Sequence, residues 1–317
     1  MKKLLFLILA ITIGATGFIL VNRHKNLLDS LDSTNGDFFA SSKAQPNKPQ
    51  RIVSLAPSLT EILFALGLDD KIVGVTLDSD YPPAAEKKTK VGTFWQPDTE
   101  AVIAAKPDLV VTLQIEQQKR VADSLNRLGY RVLTLKIEKI EELFAAIQKI
   151  GTATGCKQRA DKLIENISGQ LNYLKSKYSS TNKPRVLWVI QTEPLRVAGR
   201  NTFINEFIEL VGGENAIGPT IQRYPPIGTE ELLACNAEVI IQSAMGKSDI
   251  GRQQQQAEVF WSKWASLPAV KNNKIYVVNS DTVLRLGPRL PQGVEMVGRC
   301  LHPDTSTKSN ETTQRTR

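Results

Sequence analysis

The sequence predicts an α/β protein: two similar three-layer α/β lobes joined by one long backbone helix. Three features carry this expectation. Apolar, β-branched runs alternate with helical patterns, which implies mostly parallel sheets covered on both faces. The alternation restarts at Arg185, and a stretch of the second half aligns without gaps on a stretch of the first. Between the halves, residues 157–178 carry a single apolar stripe.

In the first lobe, residues 51–156, the strand Arg51–Leu55 runs into Ala56-Pro57-Ser58-Leu59-Thr60-Glu61. Ser58-x-x-Glu61 has capping-box spacing, so a helix is expected from about Leu59 until Gly67 ends it. Lys71–Val75 is the next strand. A helix over Thr99–Ala105 stops at Pro107, and Asp108–Thr112 is a buried strand. Gln118–Leu128 reads as helix and Arg131–Leu135 as strand.

Ala160, Leu163, Ile167, Leu171, Leu174 and Tyr178 recur at spacings of three and four, so residues 157–178 form one linking helix. In the second lobe, residues 183–303, Arg185–Ile190 is strand and Phe203–Val211 is helix, ended by Gly212-Gly213. Glu230–Cys235 reads as helix, Glu238–Ile241 and Lys274–Val278 as strands, and residues 291–301 as a closing helix. Thr99–Val111 aligns on Thr229–Ile241, and Ala65–Asp70 resembles Leu210–Asn215. Two copies indicate a duplication into two lobes rather than a solenoid.

Composition narrows the function. The chain has 317 residues, 41% hydrophobic and 23% charged, with a net charge of +8. That is ordinary globular composition. The densest basic run, Lys87-Lys88-Thr89-Lys90, has no interleaved aromatics and reads as solvated surface, so no nucleic-acid partner is expected. The two histidines, His24 and His302, are expected outside the folded body. This excludes a His-rich metal site and a His-based nucleophilic dyad. Cys156, Cys235 and Cys300 lack C-x-x-C spacing, so no zinc ribbon, iron–sulfur or thioredoxin-type site is expected, and at most one bridge can form.

The termini indicate export. Lys2-Lys3 precede an uncharged stretch from Leu4 to Val21. Residues 1–21 fit either a signal peptide cleaved after Ala15-Thr16-Gly17, leaving a soluble periplasmic protein, or a retained anchor just long enough to span a bilayer. No Cys ends the run, which argues against lipid attachment. Residues 22–50 read as a flexible tether, and residues 304–317 as a disordered polar tail.

No G-x-G-x-x-G follows a strand, and no P-loop or G-x-S-x-G occurs. No catalytic residue and no metal ligand is assigned. Four loops rich in aromatics and proline instead fall at strand ends, where open α/β sheets bind ligands. They are Asp78–Pro83, Gly92–Pro97, Gln222–Pro226 and Ser280–Arg289. Aromatics provide large contact areas at low entropic cost, and a pair such as Asp281 and Arg285 can orient a ligand's amides. These loops predict a ligand cleft between the lobes.

The residues that carry a family resemblance are Arg51–Glu61, Ser79-Asp-Tyr-Pro-Pro83, Val91-Gly-Thr-Phe94, Glu100, Lys106–Val110, Val211–Asn215, Gly287–Leu290 and His302-Pro303. Over about residues 50–303 the sequence resembles the substrate-binding proteins of ABC importers with a rigid linking helix. These carry iron-siderophores, haem or cobalamin. The Ser-Asp-Tyr-Pro-Pro loop resembles the cobalamin-binding subgroup. The resemblance implies a monomeric, non-enzymatic carrier with cobalamin as ligand, no further cofactor, and an ABC permease dimer with its ATPase as partner. It implies that Tyr81 and Phe94 flank the corrin, with Trp95 beside them. Tyr224 stands where a cobalamin binder has Trp, Leu113 where an aromatic is expected, and Asp281 and Arg285 at polar pocket positions. Glu100 and Glu230, one per lobe, are implied to pair with permease arginines.

Two alternatives within that class stay open. A siderophore carrier needs free cleft cations, with Arg196, Arg223, Arg285 and Arg289 as candidates. A haem carrier needs an axial ligand, which Tyr81 can supply. An exported hydrolase using paired carboxylates, or a scaffold protein, is the distant alternative.

Overall fold

The structure, a computed structural model, describes residues 48–303 apart from Ser180, Met245, Lys247 and Ser248. The predicted signal or anchor segment, the tether up to residue 47 and the tail 304–317 lie outside the described residues. Among those described, no helix is long and apolar enough to cross a membrane.

The first lobe runs β1 (Ile52–Ser54), α1 (Pro57–Ala65), β2 (Ile72–Val75), α2 (Pro83–Glu86), α3 (Thr99–Ala104), β3 (Leu109–Leu113), α4 (Glu116–Arg127), β4 (Val132–Leu135) and α5 (Ile140–Thr154). Its sheet has the order β2-β1-β3-β4, all parallel. The linking helix α6 (Lys157–Lys177) follows. The second lobe runs β5 (Arg185–Thr192), β6 (Leu195–Val197), α7 (Phe203–Leu210), β7 (Glu214–Asn215), α8 (Thr229–Ala234), β8 (Val239–Ser243), α9 (Ile250–Trp261), α10 (Pro268–Lys271), β9 (Ile275–Val278), α11 (Ser280–Val283) and α12 (Leu290–Leu301). Its sheet has the order β6-β5-β8-β9, with the short β7 also parallel to β5 and β6 antiparallel to it.

Strand side chains alternate between two cores, because successive Cβ atoms point to opposite faces. Ile52, Leu109 and Val111 of the first sheet, and Val186, Trp188, Val239 and Ile241 of the second, enter one shared core. Ala160, Ile167, Leu171 and Leu174 of α6 belong to that same core, so the predicted stripe joins the lobes through continuous packing. The outer faces have separate cores. Val53 and Val110 pack with Val102, Val121 and Leu125 in the first lobe. Leu187, Val189 and Ile240 pack with Leu232, Ala257 and Trp261 in the second. Both sheets are thus covered on two faces, which is the expected three-layer arrangement.

The aligned segments fold alike. Lys106 and Asn236, at matched positions, take left-handed φ of 47° and 46° just after α3 and α8. Arg51 sends Nε to the Lys106 carbonyl (2.9 Å) and Nη2 to that of Ala105 (2.7 Å). Arg185 sends Nε and Nη2 to the Cys235 carbonyl, which matches Ala105, at 3.1 and 3.0 Å. The Arg51 guanidinium satisfies two carbonyls and that of Arg185 one, each at a short helix end that leaves them unpaired. Asp108 and Glu238 also match: each carboxylate accepts the backbone N–H of that arginine, at 3.0 and 2.8 Å.

Three expectations change. The Ser58–Glu61 capping box does not form: α1 begins with Pro57 at its first turn, after Ala56, with no side-chain cap. Glu61 is buried and pairs with arginines instead. His302 belongs to the folded body. It stacks on Tyr178 at 5.6 Å, and since a carbonyl can only accept, its Nε2–H donates to the Val211 carbonyl (2.8 Å). A lone aromatic after Leu301 simply extends the core. Helices α5 and α9 were not expected from the sequence, although Leu143, Ile147 and Ile150 of α5 are fully buried. All three cysteines are buried and free, and burial pushes the Cys300 thiol up to about 12.

Candidate ligand cleft

The lobes face each other across a cleft of about 650 Å³, within the roughly 300–1,000 Å³ usual for ligand sites. Its walls come from the carboxyl ends of strands. Asp78 follows β2, Leu113 ends β3, Ile137 follows β4, Ala244 follows β8, and Ser280, Asp281, Leu284, Arg285 and Leu286 follow β9. Pro57 and Ser58 open α1, Phe203 opens α7, and Phe94 and Trp95 come from the loop before α3. Open parallel sheets place ligands at this end of their strands.

The aromatic loop is held from two sides. Asp78 Oδ2 accepts the Phe94 N–H at 2.6 Å. Gln118, fully buried on α4, uses its whole amide. Its Oε1 accepts from Thr112 Oγ1 (2.6 Å) and the Leu113 N–H (3.0 Å), and its Nε2 donates to the carbonyls of Leu55 (2.6 Å) and Phe94 (3.1 Å). Phe94 and Trp95 meet edge to face at 4.8 Å, and Trp95 is 59% exposed. The 78–81 loop is anchored by Ser79, whose buried hydroxyl bonds those of Thr60 (3.1 Å) and Thr76 (2.9 Å).

Charge crosses between the lobes beside these loops. Arg285 places Nη1 2.6 Å from Asp80 of the first lobe and Nη2 2.7 Å from Asp281 of its own. Glu61 stands 3.9 Å from Arg285 and takes Arg289 in a bidentate pair, at 2.9 and 2.5 Å. The Arg289 guanidinium also covers the Tyr81 ring at 4.0 Å. Burial raises the Glu61 carboxyl above its usual range, against the pull of Arg289 and Arg285. A second tie lies next to Ile137: Arg223 of the second lobe bonds Glu138 of the first at 2.7 Å.

Four of the six expected ligand residues line this one cavity: Phe94, Trp95, Asp281 and Arg285. Tyr81 and Tyr224 do not. Tyr81 is 41% exposed outside the lining, held under Arg289. Tyr224 packs against the shared core, and its carbonyl accepts from Arg196 Nη1 at 3.2 Å. Leu113, at the position where an aromatic was expected, does line the cleft, and Phe203 across it supplies a ring. Glu100 and Glu230 are exposed in the first turns of α3 and α8. Sequence reading missed Glu61, Asp80, Phe203 and Gln118 as site-forming residues. Asp80 sat inside the Ser-Asp-Tyr-Pro-Pro motif and could have been singled out there. No local pattern marks Glu61 as the partner of Arg289, 228 positions away. Among the described residues, no group of three His, Cys, Asp or Glu side chains could hold a metal ion.

A family model of periplasmic binding proteins matches residues 52–282. The chain belongs to the periplasmic binding protein family. It is 32% identical over 266 residues to an uncharacterized ABC transporter substrate-binding lipoprotein of Bacillus subtilis, YvrC, spanning 81% of this chain and 82% of that protein. It is 31% identical over 254 residues to a vitamin B12-binding protein of Vibrio parahaemolyticus, spanning 79% and 89%. Its structure resembles that of a periplasmic haem-binding protein from Pseudomonas aeruginosa, with a TM-score of 0.70 and 29% identity, covering 81% of this chain and 94% of that one. As a family member the chain is an ABC transporter substrate-binding protein, not an enzyme. The raised Glu61 carboxyl therefore marks a structural pair, and its 3% exposure closes it to substrates.

Proposed function

We propose that the chain captures a corrinoid of the cobalamin type in the cleft and delivers it to an ABC permease dimer with its ATPase. One observation carries the choice of ligand. All four arginines that could have served an anionic ligand are committed to protein acceptors: Arg285 to Asp80 and Asp281, Arg289 to Glu61, Arg223 to Glu138, and Arg196 to the Tyr224 carbonyl. What the cleft offers is the rings of Phe94, Trp95 and Phe203, aliphatic side chains, the carboxylates of Asp78 and Asp281, and an Arg285 already held by carboxylates. That suits a large, partly planar ligand rimmed with amides and without net negative charge. The vitamin B12-binding relative supports the same reading.

Delivery is assigned to Glu100 and Glu230. Each sits at the positive end of a short helix, at matched positions in the two lobes, and makes no ion pair with a described residue. Matched exposed carboxylates fit arginines presented once by each subunit of a permease dimer. The protein acts as a monomer on the periplasmic side, either free or held by residues 4–21.

The test is calorimetric titration of the full chain with cyanocobalamin, with haemin and a ferric siderophore in parallel. One-to-one cobalamin binding, weakened at least tenfold by Trp95→Ala or Phe94→Ala, is expected. Binding of haemin or the siderophore without cobalamin would discard the corrinoid while keeping the carrier.

A further inference from the structure

We infer that Asp80 and Asp281 are specificity-determining residues: they clamp Arg285 from the two lobes and so bar anionic ligands from the cleft. The inference rests on the cleft being the ligand site, and goes further by naming which side chains set the sign of charge accepted.

Among the described lining residues Arg285 is the one cation, against Asp78 and Asp281. Its side chain is only 16% exposed, and each terminal nitrogen faces a carboxylate, Asp80 at 2.6 Å and Asp281 at 2.7 Å. Of the clamp, Asp281 is the most open, at 39% side-chain exposure. At this wall the Asp281 carboxylate is more exposed than the guanidinium it holds. Arg289 offers no substitute, because Glu61 holds it bidentately and its side chain is 14% exposed. A propionate, carboxylate or phosphate entering here faces like charge in a site of reduced dielectric, where repulsion is strong. An uncharged amide meets no such penalty and can bond to either partner.

With both clamps neutralised, the nearest carboxylate left to Arg285 is Glu61, 3.9 Å away and already held by Arg289, so the guanidinium at the cleft wall is suited to carboxylate capture. The experiment compares haemin, with two propionates, and its uncharged dimethyl ester, titrated by absorbance into the full chain and its Asp80→Asn/Asp281→Asn variant. Haemin is expected to bind the variant at least tenfold tighter than the native chain, a gain several-fold larger than any change in affinity for the ester. Adding Arg285→Gln to the variant should abolish the gain. Asp281→Asn alone keeps the Asp80–Arg285 bridge between the lobes. It should still give a gain of about threefold, and serves if the double variant does not fold by circular dichroism. An unchanged or weaker haemin affinity, no haemin binding by either protein, an equal gain for the ester, or a gain that survives Arg285→Gln would each overturn the inference. A haemin gain in a protein that ignores cyanocobalamin would remove the corrinoid reading and leave the clamp standing. Cobalamin binding without any haemin gain would do the reverse.

Discussion

Among the ion pairs that tie the lobes beside the cleft, two differ sharply in kind. Glu61–Arg289 is buried, with side chains 2% and 14% exposed. Glu138–Arg223 is open, at 32% and 49%. Both are short and bridge the lobes, yet solvent gives them different weights. The exposed pair is screened and contributes little. The buried pair has lost its water, so neither member can be removed without stranding the other. A bridge's geometry therefore says little about its worth until burial is known.

The largest expected effect breaks the buried tie. Glu61→Ala leaves Arg289 without its bidentate partner and should cost about 3–5 kcal/mol of stability by denaturant titration. Replacing both members, as Glu61→Leu/Arg289→Met, should recover much of that. A single-variant cost under about 1 kcal/mol would refute the distinction. Next comes a tie of intermediate burial. Glu295 of α12 accepts from Lys177 at 2.8 Å and from Tyr178 at 3.3 Å, joining the linking helix to the second lobe. Glu295→Ala should cost about 1.5–3 kcal/mol. Smallest is Arg223→Ala, at about 0.2–1 kcal/mol, fading as salt is added.

Acid should separate the two cross-cleft ties by sign. Arg223 holds the Glu138 carboxyl below its usual range. Its contribution is therefore complete above the unfolded carboxylate value of about 4.3, and is lost as pH falls through the lower folded value. Burial holds Glu61 above its usual range. The folded state then takes up that proton more readily, so stability from this group rises as pH falls through the window between the raised value and about 4.3. The native chain's advantage over Glu138→Gln should shrink in acid, while its standing against Glu61→Gln should improve. Parallel trends in stability curves from pH 7 to 3 would contradict this.

The architecture was legible where its causes are local. Strand alternation, the α6 stripe and the gapless repeat all follow from residue periodicity. Even the matched left-handed turns at Lys106 and Asn236 lie inside the aligned segments. The aromatic loop 92–97 was legible because Phe94 and Trp95 are adjacent in a short run bounded by Gly92 and Pro97, just before α3. The place of Tyr224 was not: a tyrosine in a Pro-Pro loop looks the same whether it lines a cavity or, as here, lies outside the cleft lining. Helix α9 was missed because its run Arg252-Gln253-Gln254-Gln255-Gln256 is polar on every face, and only Ala257 and Trp261 of the helix are buried.

What residue order determined by itself is the two-lobed α/β plan and the strand-end loops that wall the cleft, since periodicity, glycine stops and repetition act over a few neighbouring residues. What only the tertiary structure decided is the cleft's electrostatics. Glu61, carrying a capping-box spacing, found a guanidinium rather than its own helix end, and Arg285 was claimed by carboxylates from both lobes. Such pairings depend on which charged groups lose their water together, and that is settled only when elements far apart in sequence close upon each other.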